Sequence, residues 1–250
     1  MKKILLIFLN FFGFLWRIIP FFIRNLFIKG LIALEGTGRN NQVFHRLYNI
    51  KKFIEKVVNY KSVELSDGIH PKHALTNYHK YFIDNIPENT KSILDVGSGN
   101  GFVSYSIANK FKNIEVVGID INENNVNSSL KKYDLQNLKF IYGDATKHKF
   151  KNEFDIIILS NVLEHIEKRV QFLTDIIKNT KPKFIFIRVP LFERSWEIPF
   201  QKKLKIDYFT DKEHFIEHTI EEFNLEIANA GLKIKNIKTL WGEIWCVSEN

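Results

Sequence analysis

Three alternating glycines constrain this chain more than any other feature of its sequence. Residues 92–104 begin with an apolar run, reach the carboxylate Asp95, and pass through glycines at 97, 99 and 101 into a segment with helical spacing of apolar residues. A strand that turns at once into a helix needs residues that tolerate positive φ and let a ligand approach the backbone, and glycine meets both needs. The pattern therefore predicts a small-molecule site at the carboxyl end of a parallel strand.

The spacing of the glycines separates this turn from a dinucleotide site. The dinucleotide fingerprint is Gly-x-Gly-x-x-Gly, whereas here an acid stands two residues before three alternating glycines. An acid at that place repels a pyrophosphate and suits a ligand that carries an ammonium group. The stretch resembles motif I of the class I S-adenosylmethionine-dependent methyltransferases, and the other interpretation is a glycine turn in another α/β protein. The resemblance implies that Asp95 faces the methionine end of the cofactor. The loop residues expected at the cofactor are Gly97, Ser98, Gly99 and Gly101.

A second acid ends the next apolar run, residues 114–120. A carboxylate at the tip of a second strand can accept hydrogen bonds from both ribose hydroxyls of an adenosyl group, so we expect this role for Asp120. Ile121 would then lie against the adenine. The alternative is that Asp120 caps the helix that begins near Glu123, because Asp favours N-caps. The spacing from Asp95 favours the ligand role.

Three further apolar runs repeat the arrangement. Their bounds are 138–142, 154–159 and 184–190. The second is continuously apolar after its acid, as expected for a central parallel strand that is buried on both faces. The resemblance implies that Asp144 meets the adenine amino group beside Ala145, after the first of these runs. It also implies that Ser160 and Asn161, after the second, border the cofactor.

The resemblance covers about residues 75–248 and implies the fold. We expect an α/β protein with a doubly wound, mostly parallel seven-stranded sheet, the Rossmann-like methyltransferase fold, and an N-terminal amphipathic helical extension. Residues 241–247 alternate and are the expected last strand, on an antiparallel edge. A chain of 250 residues is long enough for one well-filled core. The expected divisions are an apolar, basic segment at 1–34, a helical linker region at 35–72 and a methyltransferase domain at 73–250.

Charge and cysteine content narrow the class of function. The net charge of +8 would suit a nucleic-acid partner. However, the lysines are scattered among Asn, Ile and Phe residues, which indicates compositional bias rather than a binding patch, so we expect no nucleic acid. The single cysteine, Cys246, excludes an internal disulfide framework and favours a reducing, cytoplasmic compartment.

The first 34 residues differ from the rest of the chain because they contain no acidic residue and are dominated by Ile, Leu and Phe. Lys3, Asn10, Arg17 and Arg24 recur every seven residues, so on a helix they form one polar stripe. A cleaved signal peptide would share the basic start but needs a small-residue cleavage site, which this stretch lacks. A spanning helix would place Arg17 near the bilayer centre, where insertion of an arginine costs about 3 kcal/mol of free energy.

We favour a helix that lies in the membrane interface and bends at Pro20, because this keeps the cations at the headgroups and buries the aromatic side chains. The protein would then be peripheral at the inner face of the membrane. The alternative is a helix that covers an apolar groove or mediates a dimer, and the oligomeric state is open.

Candidates for binding the acceptor come from a helix predicted over 74–82 and from loops after the strands, where function concentrates. The region before the first strand carries His73, His79 and Tyr81, although a histidine there also suits a solvated surface. The insert after residue 190 is expected to be a lid over the acceptor. The acceptor-binding candidates are His79, Arg188, Arg194, Trp196 and His214.

Methyl transfer is an in-line displacement from a sulfonium, in which orientation is the enzyme's main contribution, and an oxygen acceptor also needs deprotonation. Glu164 and His165, expected to begin the helix after the fourth strand, are the candidate catalytic residues. The alternative is that they cap this helix and pack against the insert. In ubiquinone-biosynthesis O-methyltransferases an acid three residues before a similar pair joins it in binding a divalent cation. Here that position is Asn161, a weaker neutral ligand, and we predict no metal.

The sequence thus predicts a methyltransferase that uses S-adenosylmethionine on a small-molecule acceptor, with O-methylation of a sugar, quinone or lipid-linked substrate expected first. One alternative is a nucleic-acid methyltransferase, which only the net charge favours. Residues 160–162 read Ser-Asn-Val, where amino-directed nucleic-acid enzymes have an Asn- or Asp-Pro-Pro-aromatic motif. Another is a non-catalytic methyltransferase-fold scaffold at a membrane, which would not need the intact glycines and both carboxylates.

Overall fold

A computed structural model describes residues 2–66 and 70–250, with side chains except those of residues 2–9, 73 and 74. The chain divides into two compact units, Met1–Pro71 and Lys72–Asn250. The helices of the N-terminal unit are α1 (Lys2–Ile18), α2 (Phe21–Glu35) and α3 (Asn40–Leu65).

Pro20 separates α1 from α2, because proline lacks the N–H that a continuous helix needs. The segments Asn10–Ile18 and Phe21–Glu35 are bent by 114° relative to each other. The polar stripe expected from the seven-residue spacing therefore does not follow one straight helix. Among the described residues, no single helix is long and apolar enough to cross a bilayer, and the bent pair meets that test only when both parts are counted.

The N-terminal unit buries little. Within residues 10–66, whose side chains are described, Tyr48 is the one buried side chain. Arg46 of α3 fixes the turn after α2, because it bonds the Glu35 carboxylate at 3.0 Å and the Thr37 carbonyl at 2.6 Å.

The C-terminal unit is built on a seven-stranded sheet. Its strands are β1 (Ser92–Val96), β2 (Glu115–Asp120), β3 (Leu138–Tyr142), β4 (Ile156–Ser160), β5 (Phe184–Pro190), β6 (Lys233–Leu240) and β7 (Glu243–Glu249). Its α-helices are α4 (Lys72–Thr76), α5 (His79–Asn85), α6 (Phe102–Lys110), α7 (Glu123–Lys132), α8 (Arg169–Thr180), α9 (Glu197–Lys203) and α10 (Ile220–Asn229). The strand order is β3-β2-β1-β4-β5-β7-β6, and only the pairings of β7 are antiparallel. The predicted doubly wound, mostly parallel sheet is confirmed.

The core occupies both faces of this sheet. Alternate residues of β4 point to opposite sides: Ile157 joins one buried cluster, which α8 and α10 cover, while Ile156 joins the other, which α5 and α6 cover. Both side chains are fully buried, which explains why the sequence of this strand is continuously apolar. The sheet therefore fixes the edge at which the carboxyl ends of β1, β2 and β4 meet.

Two expected helices differ in the structure. The helix predicted over 74–82 is split into α4 and α5, because Asn77 adopts a left-handed φ of +44° between them. The helix expected to begin at Glu164 is delayed: Leu163–His165 form a single 3-10 turn, and α8 begins at Arg169.

The last strand also differs, because it begins two residues later than expected. Trp241 and Gly242 have φ values of +56° and +74°, so they form the two-residue turn that joins β6 to β7. Positive φ at both central residues matches the twist of a hairpin. The alternation from residue 241 therefore includes this turn, and β7 runs to Glu249.

Candidate cofactor and active site

The glycine loop connects β1 to α6, and Asp120 at the end of β2 holds it. The Gly99 N–H donates to Asp120 Oδ2 at 2.7 Å. Gly99 has a φ of +54° and no atom within 4 Å of the place where a Cβ would lie, so this part of the loop faces open space. Gly101 is different, because a Cβ there would lie 2.6 Å from the Phe140 ring. Gly99 thus admits a ligand, whereas Gly101 lets the loop pack.

Asp95 lies beneath the loop and is buried. Its Oδ2 accepts a hydrogen bond from the Ser104 hydroxyl at 2.5 Å. Burial raises the pKa of Asp95 to about 7, although the hydrogen bond from Ser104 opposes this shift. The carboxylate borders a cavity of about 230 Å³, which we call the smaller cavity. Its walls include Tyr78, Asp95, Gly97, Ser98, Ser160 and Arg188.

A larger cavity, of about 830 Å³, adjoins Asp120. Its walls include the predicted residues Gly97, Asp120, Ile121, Asp144, Ala145, Asn161 and His165. Asn122, and not Asp120, is the N-cap of α7, because its side chain accepts from the Asn124 N–H at 3.0 Å. The capping role considered for Asp120 therefore belongs to its neighbour. A cavity of this size suits a nucleoside-sized ligand.

Asp144 lines the larger cavity, and both of its carboxylate oxygens already contact neighbouring side chains. Its Oδ1 accepts from the Thr146 hydroxyl at 2.6 Å, and its Oδ2 pairs with Lys147 at 2.9 Å. These contacts, that with Thr146 first, hold the pKa of Asp144 below its usual range. The carboxylate therefore stays ionised as an acceptor at this wall.

Glu164 and His165 lie in the 3-10 turn after β4, with different surroundings. Glu164 is fully buried, and neither carboxylate oxygen has a hydrogen-bond partner in the described part of the chain. Burial raises the pKa of Glu164 to about 7. His165 lines the larger cavity. Its pKa is lowered mainly by partial burial and to a smaller extent by the nearby charge of His214. The imidazole of His165 is therefore neutral at pH 7 and able to accept a proton.

His214 brings the insert to this turn. Its ring centroid lies 4.5 Å from that of His165, and the Phe215 N–H donates to the Glu164 carbonyl at 2.8 Å. Three possible metal-ligand atoms lie within 4.8 Å of one another, one from each of Glu164, His165 and His214. Two imidazoles and a carboxylate could hold a divalent cation, although the sequence predicted no metal.

The five candidates for the acceptor do not converge on one place. Arg188 lines the smaller cavity, and His214 packs on His165. Arg194 forms an ion pair with the buried Glu217 and donates to the Tyr208 carbonyl at 2.9 Å, so it organises the insert.

The two remaining candidates line neither cavity. Trp196 is 75% exposed, and Nδ1 of His79 lies 2.7 Å from the Ser106 hydroxyl of α6. Tyr81 packs against Trp245, with ring centroids 5.0 Å apart, and the side chain of His73 lies outside the described residues. Gly101, expected at the cofactor, also lies outside both sets of cavity walls and packs against Phe140 instead.

Tyr78 is a cavity residue that the sequence did not identify. It precedes α5, lines the smaller cavity, and lies under the Arg188 guanidinium, 4.1 Å from the ring centroid. Burial raises the pKa of Tyr78 to about 12, so the phenol is neutral and can donate. The sequence did not predict a cavity residue here because a continuous helix was expected over 74–82, whereas residue 78 lies between two helices.

Comparisons with known proteins agree with this geometry. The family described as "Methyltransferase domain" matches residues 87–236, more than half of the chain. N-methyltransferase 4 of Papaver somniferum is 32% identical over 127 residues, which cover 48% of this chain and 35% of that protein. The ubiquinone biosynthesis O-methyltransferase of Rickettsia bellii is 31% identical over 97 residues, which cover 38% of this chain and 40% of that protein. The chain therefore spans less than half the length of these relatives.

A solved structure shares the fold. The magnesium protoporphyrin IX methyltransferase from Synechocystis PCC 6803, determined with bound SAH, superposes with a TM-score of 0.54 at 15% identity. The match covers 72% of this chain and 83% of that one. At this identity the likeness concerns the fold alone.

Proposed function

This chain belongs to the class I S-adenosylmethionine-dependent methyltransferases, and we propose that it methylates an oxygen of a small-molecule acceptor. Its cofactor is S-adenosylmethionine, which supplies an electrophilic methyl group on a sulfonium. The open side of Gly99 and the carboxylate of Asp120 fit this cofactor, because one admits it and the other can accept from ribose hydroxyls. Ile121 and Asp144 would border the adenine, and Asp95 the methionine end.

One observation carries the choice of an oxygen acceptor: a neutral imidazole, His165, stands on the wall of the cavity that Asp120 also lines. A hydroxyl must lose its proton as it is methylated, and a general base contributes about 10²–10⁴-fold. His165 would take that proton. Glu164, whose carboxylate lies within 4.8 Å, would stabilise the resulting imidazolium.

Turnover of two histidine variants tests the role of His165. With methyl-labelled cofactor and a whole extract of the source cells as acceptor, His165→Gln should reduce label transfer to small molecules by about 10²-fold or more. Its affinity for S-adenosylhomocysteine should stay within a few-fold of the original. His79→Gln is the matched control, because it makes the same change outside both cavities. Equal losses in the two variants would contradict the assignment of the base, and label in a nuclease-sensitive fraction would favour the nucleic-acid alternative.

We also propose that residues 1–34 bind the surface of a membrane with anionic lipids, at its cytoplasmic face. This stretch carries five cations and no acid. The large apolar side chains described on α1 and α2 are mostly exposed, and they include Phe11, Phe12, Phe14, Phe21, Phe22, Leu26 and Phe27. Aromatic side chains beside cations suit the boundary between headgroups and acyl chains. The bend at Pro20 argues against one straight spanning helix.

Co-sedimentation with vesicles tests this attachment. The full-length chain should bind vesicles of anionic lipid better than neutral ones, and salt should weaken the binding because it screens exposed charges. Attachment that resists both salt and carbonate would indicate a spanning segment instead. A chain that ignores both kinds of vesicle would contradict the proposal.

A further inference from the structure

Two segments that are distant in sequence bring three possible metal ligands together. Glu164 and His165 belong to the 3-10 turn after β4, whereas His214 lies in the insert after β5. One ligand atom from each lies within 4.8 Å of the other two. The Phe215 N–H joins the two segments, because it donates to the Glu164 carbonyl at 2.8 Å. A backbone hydrogen bond therefore holds the three side chains near each other without any ion.

The carboxylate of Glu164 needs a partner. Glu164 is fully buried, and neither of its carboxylate oxygens has a hydrogen-bond partner among the described residues. Buried polar atoms are nearly always paired in native proteins, and buried charges are paired or coordinate metals. A divalent cation would compensate both the charge and the free lone pairs. His165 is exposed and lines the larger cavity, which gives an ion a path to the buried carboxylate.

His214 is oriented from behind by a second carboxylate. Its Nδ1 lies 3.5 Å from Oε1 of Glu217 and 3.3 Å from the Thr210 hydroxyl. Glu217 is buried and fixed, because it forms an ion pair with Arg194 and accepts from the Thr210 N–H at 2.5 Å. A histidine that ligates a metal commonly donates its other ring N–H to a carboxylate, which sets the tautomer. With its proton on Nδ1, His214 keeps a lone pair on Nε2 for an ion.

The ligand set selects the kind of ion. Two imidazoles and one carboxylate suit Zn²⁺ and neighbouring transition metals, whereas Mg²⁺ prefers oxygen ligands. The set considered from the sequence, with an acid at position 161, is not present here. Asn161 stands at that position, and its Oδ1 already accepts from Arg188 Nε at 3.1 Å. The third ligand comes instead from the insert, and it is a nitrogen.

We propose that Glu164, His165 and His214 bind Zn²⁺ or a similar transition-metal ion, which joins the insert to the turn after β4 and inhibits methyl transfer. The inhibition follows from His165, because an imidazole whose lone pair ligates a metal cannot accept the proton of a hydroxyl. The ion is thus a regulator of the site and not a cofactor. The inhibitory effect rests on the proposed function, whereas the binding of the ion does not.

Calorimetry of the full-length chain tests the binding in the absence of cofactor and acceptor. After metal is removed with a chelator, Zn²⁺ should bind at one site about 100-fold or more tightly than Mg²⁺. His214→Gln and Glu164→Gln should each weaken Zn²⁺ by about tenfold or more, since loss of an outer partner alone costs that much. Glu164→Gln removes a buried charge, so we expect it to fold. His79→Gln is the matched control and should leave the affinity unchanged.

Two calorimetric results would overturn the site. In one, Zn²⁺ and Mg²⁺ bind with equal affinity, or neither binds. In the other, Zn²⁺ binds but His214→Gln and Glu164→Gln weaken it no more than His79→Gln does, which would assign the ion to other histidines of the chain.

Transfer of labelled methyl groups then tests the effect of the ion. Saturating Zn²⁺ should abolish most label transfer in the unaltered chain, and His214→Gln should raise the Zn²⁺ concentration needed by about tenfold or more. Each chain is compared with itself, with and without Zn²⁺. Undiminished transfer with Zn²⁺ bound, or equal inhibition of the variant, would overturn the inhibitory role. No transfer in the metal-free chain would contradict the proposed function instead, while calorimetry still decides the metal site.

Discussion

The two units of this protein treat the same kinds of side chain in opposite ways. In the C-terminal unit the apolar side chains of the central strands are covered on both faces, and Ile156, Ile158 and Phe186 are fully buried. In the N-terminal unit Phe21 and Phe22 are more than 70% exposed. Large exposed apolar surfaces mark sites of interaction. The C-terminal unit therefore covers its own apolar side chains, whereas the N-terminal unit leaves many of them exposed.

The units also differ in charge. Several cations of the C-terminal unit are paired with buried acids, as Arg169 is with Glu226 at 2.5 Å. The first 34 residues have no acid with which their five cations could pair. We expect the two units to respond differently to substitution, lipid and pH.

Reversal of charge on the N-terminal helices should have the largest effect. In the double variant Arg17→Glu with Arg24→Glu, two positive charges become negative. Each positive charge near an anionic surface contributes about 1 kcal/mol to the binding free energy, and each negative charge there opposes binding. Vesicle co-sedimentation should show affinity for anionic lipid reduced about a hundredfold or more. The matched control is Lys112→Glu with Lys139→Glu, which changes the net charge equally on the C-terminal unit. Equal losses in both double variants would mean that net charge, and not this segment, causes attachment.

Asp95→Asn should separate stability from function within the C-terminal unit. Because burial raises the pKa of Asp95 to about 7, folding favours the protonated carboxyl. The contribution of this group to stability is therefore complete below about pH 4 and is lost as pH rises through 7. The variant should raise the free energy of unfolding at pH 8 by about 2–4 kcal/mol and flatten its pH dependence.

The same variant should bind S-adenosylhomocysteine more weakly, because the ammonium loses its carboxylate. In the unaltered chain this affinity should rise as pH increases through 7, since the ionised form of Asp95 binds the cation. Denaturant titrations and calorimetry between pH 5 and 8 check both statements. A variant less stable than the original at pH 8 would contradict the assigned pKa of Asp95.

A pair of glycine variants compares packing in the two units. A Cβ on Gly118 would lie 2.7 Å from the Phe140 ring and 2.8 Å from the Ser98 hydroxyl, so Gly118→Ala should lower the free energy of unfolding by about 1–3 kcal/mol. Gly30 in α2 has nothing within 4 Å of that place. Gly30→Ala should therefore cause no loss of stability, measured by the helical signal of the N-terminal unit in the same denaturant titration. Comparable losses would mean that α2 is packed as closely as the sheet.

Gly99→Ala should have a smaller effect on stability than Gly118→Ala but a clear effect on binding. The backbone at Gly99 is left-handed, so alanine there introduces strain of about 1 kcal/mol. The open space beside Gly99 is where we place the cofactor, so the methyl group should weaken S-adenosylhomocysteine binding measured by calorimetry. Unchanged affinity would move the cofactor away from this face of the loop.

The sequence predicted the part of the fold in which local pattern and burial agree. The strands β1, β2 and β4 are apolar runs that end at the ligand edge, and the glycines mark the turn between β1 and α6. Strand β6 gave no such pattern, because it is an edge strand with mostly exposed residues and a register shift between Ile234 and Asn236. The turn at Trp241 did have a signal, since glycine at 242 is typical of a two-residue hairpin.

The candidate site divides in the same way. Motif residues such as Gly99 and Asp120 are adjacent to strand ends, so the chain order alone placed them near each other. Arg188 is in β5, and only the pairing of β5 with β4 brings it beside the glycine loop. Tyr78 lines the smaller cavity because the helix is interrupted at Asn77, and the pattern of residues did not reveal this interruption. Contacts between distant segments decide such positions, and one sequence does not encode them in any local period.

The central claim is that the cofactor site belongs entirely to the C-terminal unit, while the N-terminal unit serves attachment. Calorimetry of S-adenosylhomocysteine with the full-length chain and with the chain shortened to Lys72–Asn250 tests it most directly. We predict one binding site in each and the same Kd within a factor of about two, whereas only the full-length chain should sediment with anionic vesicles. Loss of ligand binding in the folded, shortened chain, or no binding to the full-length chain, would contradict the claim.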